Sequence, residues 1–128
     1  MEELGIYIHI PFCKKKCKYC DFISFSCYAE KENEYVDSLL KEIENYEFIE
    51  KEVSTIYIGG GTPSIIDSKN IIKILEKIKS KFKVKKDVEI TIEINPGTIN
   101  KEKLEDYKLA GINRLSIGLQ STNNDILN

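Results

Sequence analysis

The sequence contains no apolar run approaching the roughly 20 residues that cross a bilayer, and it has no surplus of positive charge. Its 128 residues carry 19 Lys and Arg against 21 Asp and Glu, for a net charge of -2. That balance gives no electrostatic reason to expect nucleic acid or an anionic membrane as a partner. The opening Met1-Glu2-Glu3 lacks the basic region of a secretory signal, so the chain is expected in the cytosol. There its four cysteines stay reduced, which ranks metal binding or catalysis above disulfides. There is a single histidine, His9, read as structural rather than catalytic. The apolar fraction of 41% describes an ordinary folded chain of one domain or part of one.

What is present is an alternation of two hydrophobic periods. Residues 5–10 alternate apolar positions with Tyr7 and His9 and stop at Pro11, as a strand ending in a loop does. Over 29–48, Val36, Leu39, Leu40 and Ile43 recur at helical spacing among Glu and Lys. Residues 53–58 predict a second strand, closed by Gly59-Gly60-Gly61-Thr62-Pro63. Asp67 is the expected N-cap of a helix whose buried stripe is Ile71, Ile74, Leu75, Ile78 and Phe82. Residues 88–94 predict a third strand, ending at Asn95-Pro96-Gly97. A short helix follows, with Asn100 as cap, Leu104 and Tyr107 buried and Gly111 as the stop. Residues 114–120 predict a fourth strand, and a further helix is expected from 121.

Such alternation implies a parallel sheet with crossover helices. Strand parity selects its kind. A doubly wound sheet is covered on both faces, and its strands are apolar almost throughout. Here Ile6, Ile8 and Ile10 share one face, as do Val88, Ile90, Ile92 and Ile94, and Leu115, Ile117 and Leu119. The opposite faces carry Tyr7 and His9, then Glu89, Thr91 and Glu93, then Ser116, Gly118 and Gln120. The expectation is an α/β fold: a curved half-barrel of four parallel strands with outer helices and a polar concave cavity. A closed barrel needs more strands, so residues 1–128 are expected to form the N-terminal portion of a larger domain. The alternative is a small three-layer fold whose polar face is covered by a partner.

Cys13-x-x-x-Cys17-x-x-Cys20 follows the first strand directly, at the carboxyl edge where α/β proteins build their sites. Gaps of four and three residues span at most roughly 13 and 10 Å, so one compact loop can wrap three thiolates around a single metal cluster. Three thiolates on a 4Fe–4S cube leave the fourth iron open to a ligand. Lys14, Lys15, Lys16 and Lys18 favour thiolates and an electron-rich cluster, and they equally suit a solvated loop. Structural zinc is the competing reading, with Cys27 or His9 as the fourth ligand it needs.

Four motifs in order resemble the radical SAM superfamily, in particular its oxygen-independent coproporphyrinogen III oxidase-like branch. They are Tyr7-Ile8-His9-Ile10-Pro11-Phe12-Cys13 with the C-x-x-x-C-x-Y-C loop, Gly59-Gly60-Gly61-Thr62-Pro63-Ser64, Glu93-Ile94-Asn95-Pro96-Gly97, and the stretch from Gly111 through Arg114 and Gln120 to Ser121. The resemblance implies a partial radical SAM barrel and a 4Fe–4S cluster on Cys13, Cys17 and Cys20. It implies S-adenosylmethionine chelating the open iron, with Gly60, Gly61 and Thr62 at its amino end and Glu93 hydrogen-bonded to it. Tyr19 is implied near the adenine, and Tyr7 and Gln120 as further contacts; no catalytic side chain is assigned. Read alone, the glycine run is equally a tight turn, and the two tyrosines are equally packing residues.

The implied chemistry is reductive. An electron donor such as flavodoxin or ferredoxin reduces the cluster, and an electron passes to the sulfonium, giving methionine and a 5′-deoxyadenosyl radical. The dehydrogenases of this branch follow the third cysteine with Gly and another Cys, whereas Asp21 and Phe22 stand here. That departure points to the haem-chaperone (HemW-like) subgroup and implies haem and a haem-accepting protein as partners, with the haem site beyond Asn128. The alternatives are an oxygen-independent coproporphyrinogen III dehydrogenase and a non-enzymatic iron–sulfur or zinc-binding module.

Overall fold

The computed structural model describes residues 2–12, 25–47 and 50–117. Strands and helices alternate as β1 (Glu3–Ile10), α1 (Phe25–Asn45), β2 (Glu52–Gly60), α2 (Ser68–Lys81), β3 (Lys83–Ile94), α3 (Lys101–Ala110) and β4 (Arg114–Ile117). Single 3-10 turns follow β2 at Pro63–Ile65 and β3 at Pro96–Thr98. The strands pair parallel, in the spatial order β1-β2-β3-β4.

That order has a physical consequence. Crossovers of one hand that never reverse direction along the sheet put every helix on the same face. A doubly wound sheet needs such a reversal, and these four strands have none. α1 packs on α2, and α2 on α3. The half-barrel read from strand parity is the architecture.

The helix-facing side is aliphatic. Ile8 and Ile10, Val53, Ile56 and Ile58, and Val88, Ile90, Ile92 and Ile94 are all buried. Ile71, Ile74, Leu75 and Ile78 of α2 meet them with at most 1% exposure, so α2 carries the central stripe that its spacing predicted. Each such side chain contributes about 1.5–3 kcal/mol on burial. Asp67 caps α2 by accepting from Lys69 N, and Asn100 caps α3 by accepting from Lys103 N. Gly111 ends α3 at φ 100, a left-handed conformation that glycine adopts without Cβ strain. Gly111 N donates to Lys108 O, Ile112 N to Tyr107 O, and Lys79 Nζ to Ala110 O, so three of the last four carbonyls of the helix find partners.

Several boundaries differ from the periodicity reading. α1 ends at Asn45 rather than 48, where Tyr46 N turns back to Ile43 O. β3 begins at Lys83 rather than 88. Lys83 and Val84 pair with Glu52 and Val53 before the register shifts to Thr55 and Glu89, and backbone pairing extends a strand that its polar side chains do not mark. Leu104, expected in the core, is 38% exposed; α3 turns Tyr107 and Ala110 inward instead. Leu115 and Ile117 share the apolar face through their pairing with Ile92 and Ile94, yet they are 43% and 57% exposed. No described helix covers that end of the sheet, and residues 118–120 and the helix expected from 121 lie outside the described residues. No helix among the described residues is long and apolar enough to cross a membrane.

Candidate functional site

The polar face is organised in rows across the strands. One row runs Tyr7, Tyr57, Thr91, Arg114 by direct register. The next, closer to the carboxyl ends, holds His9 beside Gly59 and Glu93 beside Ser116. Thr91, which parity placed on this polar face, is 3% exposed. Tyr7 stacks on Tyr57 at 6.0 Å between ring centroids and 15° between planes. The Tyr7 hydroxyl stands 3.5 Å from His9 Nδ1.

Glu93 is fixed at both carboxylate oxygens. Gly60 N donates to Oε1 at 3.1 Å and the Tyr57 hydroxyl donates to Oε2 at 2.8 Å. The carboxylate lies over Gly59, where a Cβ would stand 2.9 Å from Oε1 and 2.9 Å from Tyr57 Cε1. Gly59 is therefore glycine for close approach. Gly60 is glycine for a second reason, its φ of 117, and a Cβ there would meet Ile10 O at 2.7 Å.

The turn after β2 spends its N–H groups internally. Gly60 N serves Glu93, Gly61 N donates to Ile10 O at 2.8 Å, and Thr62 N donates to Phe12 O at 2.5 Å. A glycine turn that cradles phosphate points free N–H groups at its ligand. This one has none of those three to offer and sets the Glu93 carboxylate beside them instead. The adjoining cleft, lined by Gly60, Gly61, Thr62, Glu93, Asn95 and Ser116, has a volume of about 260 Å3. A carboxylate beside a turn whose N–H groups bond inward suits a cationic or amine-bearing ligand.

The same bonds fix the entry to the cysteine loop. Phe12, the residue before Cys13, is tied through its carbonyl to Thr62 and packs edge-on against Tyr35. The Tyr35 hydroxyl donates to the His9 carbonyl, and burial together with the charges of Glu42 and Tyr7 raises its pKa above the ordinary tyrosine value. His9 contributes its backbone to this joint, in keeping with its structural reading.

A polar network beneath the cleft went unmarked by sequence spacing. Asn95 N donates to Ser64 Oγ at 3.0 Å, and Thr98 Oγ1 donates to Asn95 O at 2.7 Å. The Thr98 proton being committed, Ser64 Oγ is the donor in its 2.5 Å bond to Thr98 Oγ1. Three bonds thus close a ring that ties the turn after β2 to the turn after β3. Lys103 Nζ donates to Ser64 O; burial lowers its pKa, and the nearby Asp67 and Glu32 carboxylates oppose that shift. Glu32, buried on α1, accepts from Asp67 N and Asn70 Nδ2 at the start of α2, where the helix dipole favours a negative charge. Ser68 Oγ donates to Asp106. Apart from Thr98 and Asn95, these partners lie 31 to 39 residues apart, so only the turn residues around Pro63 and Pro96 hinted at them.

The structure therefore brings Tyr7, Gly60, Gly61, Thr62 and Glu93 to one edge of one face. Cys13, Cys17, Cys20, Tyr19 and Gln120 lie outside the described residues, as does the side chain of Cys27. Among the described residues no group of three His, Cys, Asp or Glu could hold a metal ion.

Comparison with known proteins fits this geometry. The radical SAM superfamily matches residues 7–128. The chain belongs to that superfamily. Members of the superfamily generally use a 4Fe–4S cluster and S-adenosylmethionine. Among curated relatives, the haem chaperone HemW of Buchnera aphidicola (subspecies Schizaphis graminum) is 46% identical over 133 residues, covering 99% of this chain and 35% of that protein. HemW of Escherichia coli is 42% identical over 124 residues, covering 94% and 33%. Among solved structures, the coproporphyrinogen III oxidase HemN of Escherichia coli, described as a radical SAM enzyme, superposes with a TM-score of 0.79 at 32% identity. That match covers 98% of this chain and 29% of that one. The chain spans about a third of the length of the curated relatives it matches. This radical SAM chain thus places its glycine turn, its strand-end glutamate and the entry to its cysteine loop at the carboxyl ends of β1, β2 and β3.

Proposed function

We propose that this chain is the N-terminal portion of a radical SAM core that binds S-adenosylmethionine beside a 4Fe–4S cluster, and that it serves haem metabolism as a haem-chaperone-like protein. The observation that carries the reading is the Glu93 carboxylate, held by Gly60 N and the Tyr57 hydroxyl next to a turn whose N–H groups bond inward. S-adenosylmethionine carries an ammonium and a sulfonium, and a carboxylate in such a setting suits both charges. Cys13, Cys17 and Cys20 are the proposed cluster ligands, and the chain enters their loop from the Phe12 tie to the glycine turn. Tyr7, Tyr19, Gly60, Gly61, Thr62 and Gln120 complete the proposed cofactor contacts. When bound, the cluster and cofactor supply one-electron reduction and cleavage of a sulfonium carbon–sulfur bond. The chain's own part is to orient the ligand and keep water from it.

The haem assignment rests on relatives named as haem chaperones and on Asp21-Phe22 after the third cysteine. Haem, a haem-accepting protein, a flavodoxin- or ferredoxin-type electron donor and a reducing cytosolic setting all belong to this proposal. Anaerobic reconstitution should give a brown protein whose iron is lost in Cys13→Ser, Cys17→Ser and Cys20→Ser. Dithionite with S-adenosylmethionine should release 5′-deoxyadenosine, and a chain extended beyond Asn128 should bind added haem. A colourless protein holding stoichiometric zinc overturns the reading. The similarity to HemN favours one other use of the same site; turnover of added coproporphyrinogen III would select it over haem transfer.

A further inference from the structure

We infer that Tyr57 is the positioning residue of the cofactor site, setting Glu93 through its hydroxyl and Tyr7 through its ring. The inference rests on Glu93 and Tyr7 being contacts to S-adenosylmethionine. Tyr57 sits on β2, between the strands that carry the other two. By register it is level with Tyr7 and Thr91, one row below Glu93. Its hydroxyl reaches up that row to Oε2 of Glu93 at 2.8 Å. The path is open because the residue directly above it on β2 is Gly59, where any Cβ would press on Tyr57 Cε1 and Glu93 Oε1 at 2.9 Å each.

The arrangement leaves the carboxylate defined and unsatisfied at once. Among the described residues each oxygen accepts one bond, Oε1 from Gly60 and Oε2 from Tyr57, and an ionised carboxylate can accept about four in all. That leaves lone pairs for a ligand while the two bonds fix the carboxylate plane. With the Gly60 bond alone, the terminal torsion of Glu93 is broad and the plane turns. The same tyrosine ring backs Tyr7, which is otherwise 58% exposed and has the stack with Tyr57 as its closest ring contact. One side chain on the middle strand thus orients one proposed contact on each neighbouring strand. A plain packing role for Tyr57 requires its ring and makes no use of its hydroxyl.

The test is equilibrium binding of S-adenosylmethionine to the cluster-loaded protein, with iron per chain and thermal midpoint measured alongside. Tyr57→Phe keeps the ring and removes the bond; it should weaken binding about tenfold with iron content unchanged. Glu93→Ala should weaken binding as well, and adding Tyr57→Phe to it should cost nothing further, because the hydroxyl acts through the carboxylate. Gly59→Ala leaves Tyr57 chemically intact and pushes the carboxylate off its seat, so it should lower affinity at least as much. Wild-type affinity in Tyr57→Phe overturns the inference, as does a full additive loss in the double variant. An iron-loaded wild type that binds no S-adenosylmethionine overturns the proposed function and this inference with it, whereas binding by the wild type with unaltered Tyr57→Phe sinks the inference alone.

Discussion

The ring formed by Ser64, Asn95 and Thr98 yields a prediction that can be worked from the structure. Ser64 is fully buried, and its hydroxyl accepts from Asn95 N and donates to Thr98 Oγ1. Ser64→Ala removes both bonds, and each ordinarily contributes about 0.5–1.5 kcal/mol net. It also strands the half-buried Asn95 N–H, and an orphaned donor of that kind costs about 1–3 kcal/mol. The Thr98 hydroxyl keeps its bond to Asn95 O, so its loss is partial. We expect a total of about 2–3 kcal/mol, or roughly a 10 °C lower midpoint for a chain of this length. Thr98→Ala breaks two of the same bonds at a half-exposed position where water can replace them, and should cost about 1 kcal/mol. The double variant should cost less than the sum, because the two residues share one bond. Urea unfolding followed by far-ultraviolet circular dichroism measures all three. A Ser64→Ala cost below about 0.5 kcal/mol, or strict additivity, would refute the assignment of a closed hydrogen-bonded ring.

Further outcomes follow from Gly60, Gly61, Tyr107 and Lys103. Gly60→Ala places a Cβ against the backbone oxygen of Ile10 at positive φ, which nothing nearby can relieve, and should cost at least about 1–2 kcal/mol in the same unfolding assay. Gly61→Ala, whose φ is not positive, should cost less than half as much. Tyr107 is 1% exposed, its hydroxyl has no hydrogen-bond partner among the described residues, and burial with the charge of Asp106 raises its pKa. Unfolded tyrosines ionise near pH 10, so above that pH the unfolded state sheds protons that the fold retains, and stability falls as pH rises. Tyr107→Phe should be neutral or stabilising at neutral pH and should flatten that alkaline decline; a loss above about 1 kcal/mol at neutral pH contradicts the orphaned hydroxyl. Lys103 acts in the opposite sense. Its pKa is lowered by burial, so its contribution to stability improves as pH climbs toward the ordinary lysine value.

Much of the fold was legible because its signals are local. A period of two residues marked the strands, a period of three to four marked α1 and α2, and Asp67, Asn100 and Gly111 marked helix ends through bonds to residues at most four positions away. Strand parity separated a covered face from a polar one and so anticipated a half-barrel before any contact was known. The motifs that carry the resemblance to the radical SAM superfamily are likewise short stretches of sequence. The errors fell where locality fails. The start of β3 is set by backbone pairing with β2, and the exposure of Leu104, Leu115 and Ile117 depends on which helix lies above them.

The tertiary structure alone decided which residues meet at the site. Glu93 stood in the sequence as one acidic residue at a strand end. Its two donors come from 33 and 36 residues away, and only the β2–β3 register brings them to it. The glycine turn could have been a phosphate cradle until the bonds of Gly60, Gly61 and Thr62 showed its N–H groups turned inward. A chain's hydrophobic period specifies which face a residue lies on. Which residues meet across that face is fixed by strand register, through hydrogen bonds between segments remote in sequence.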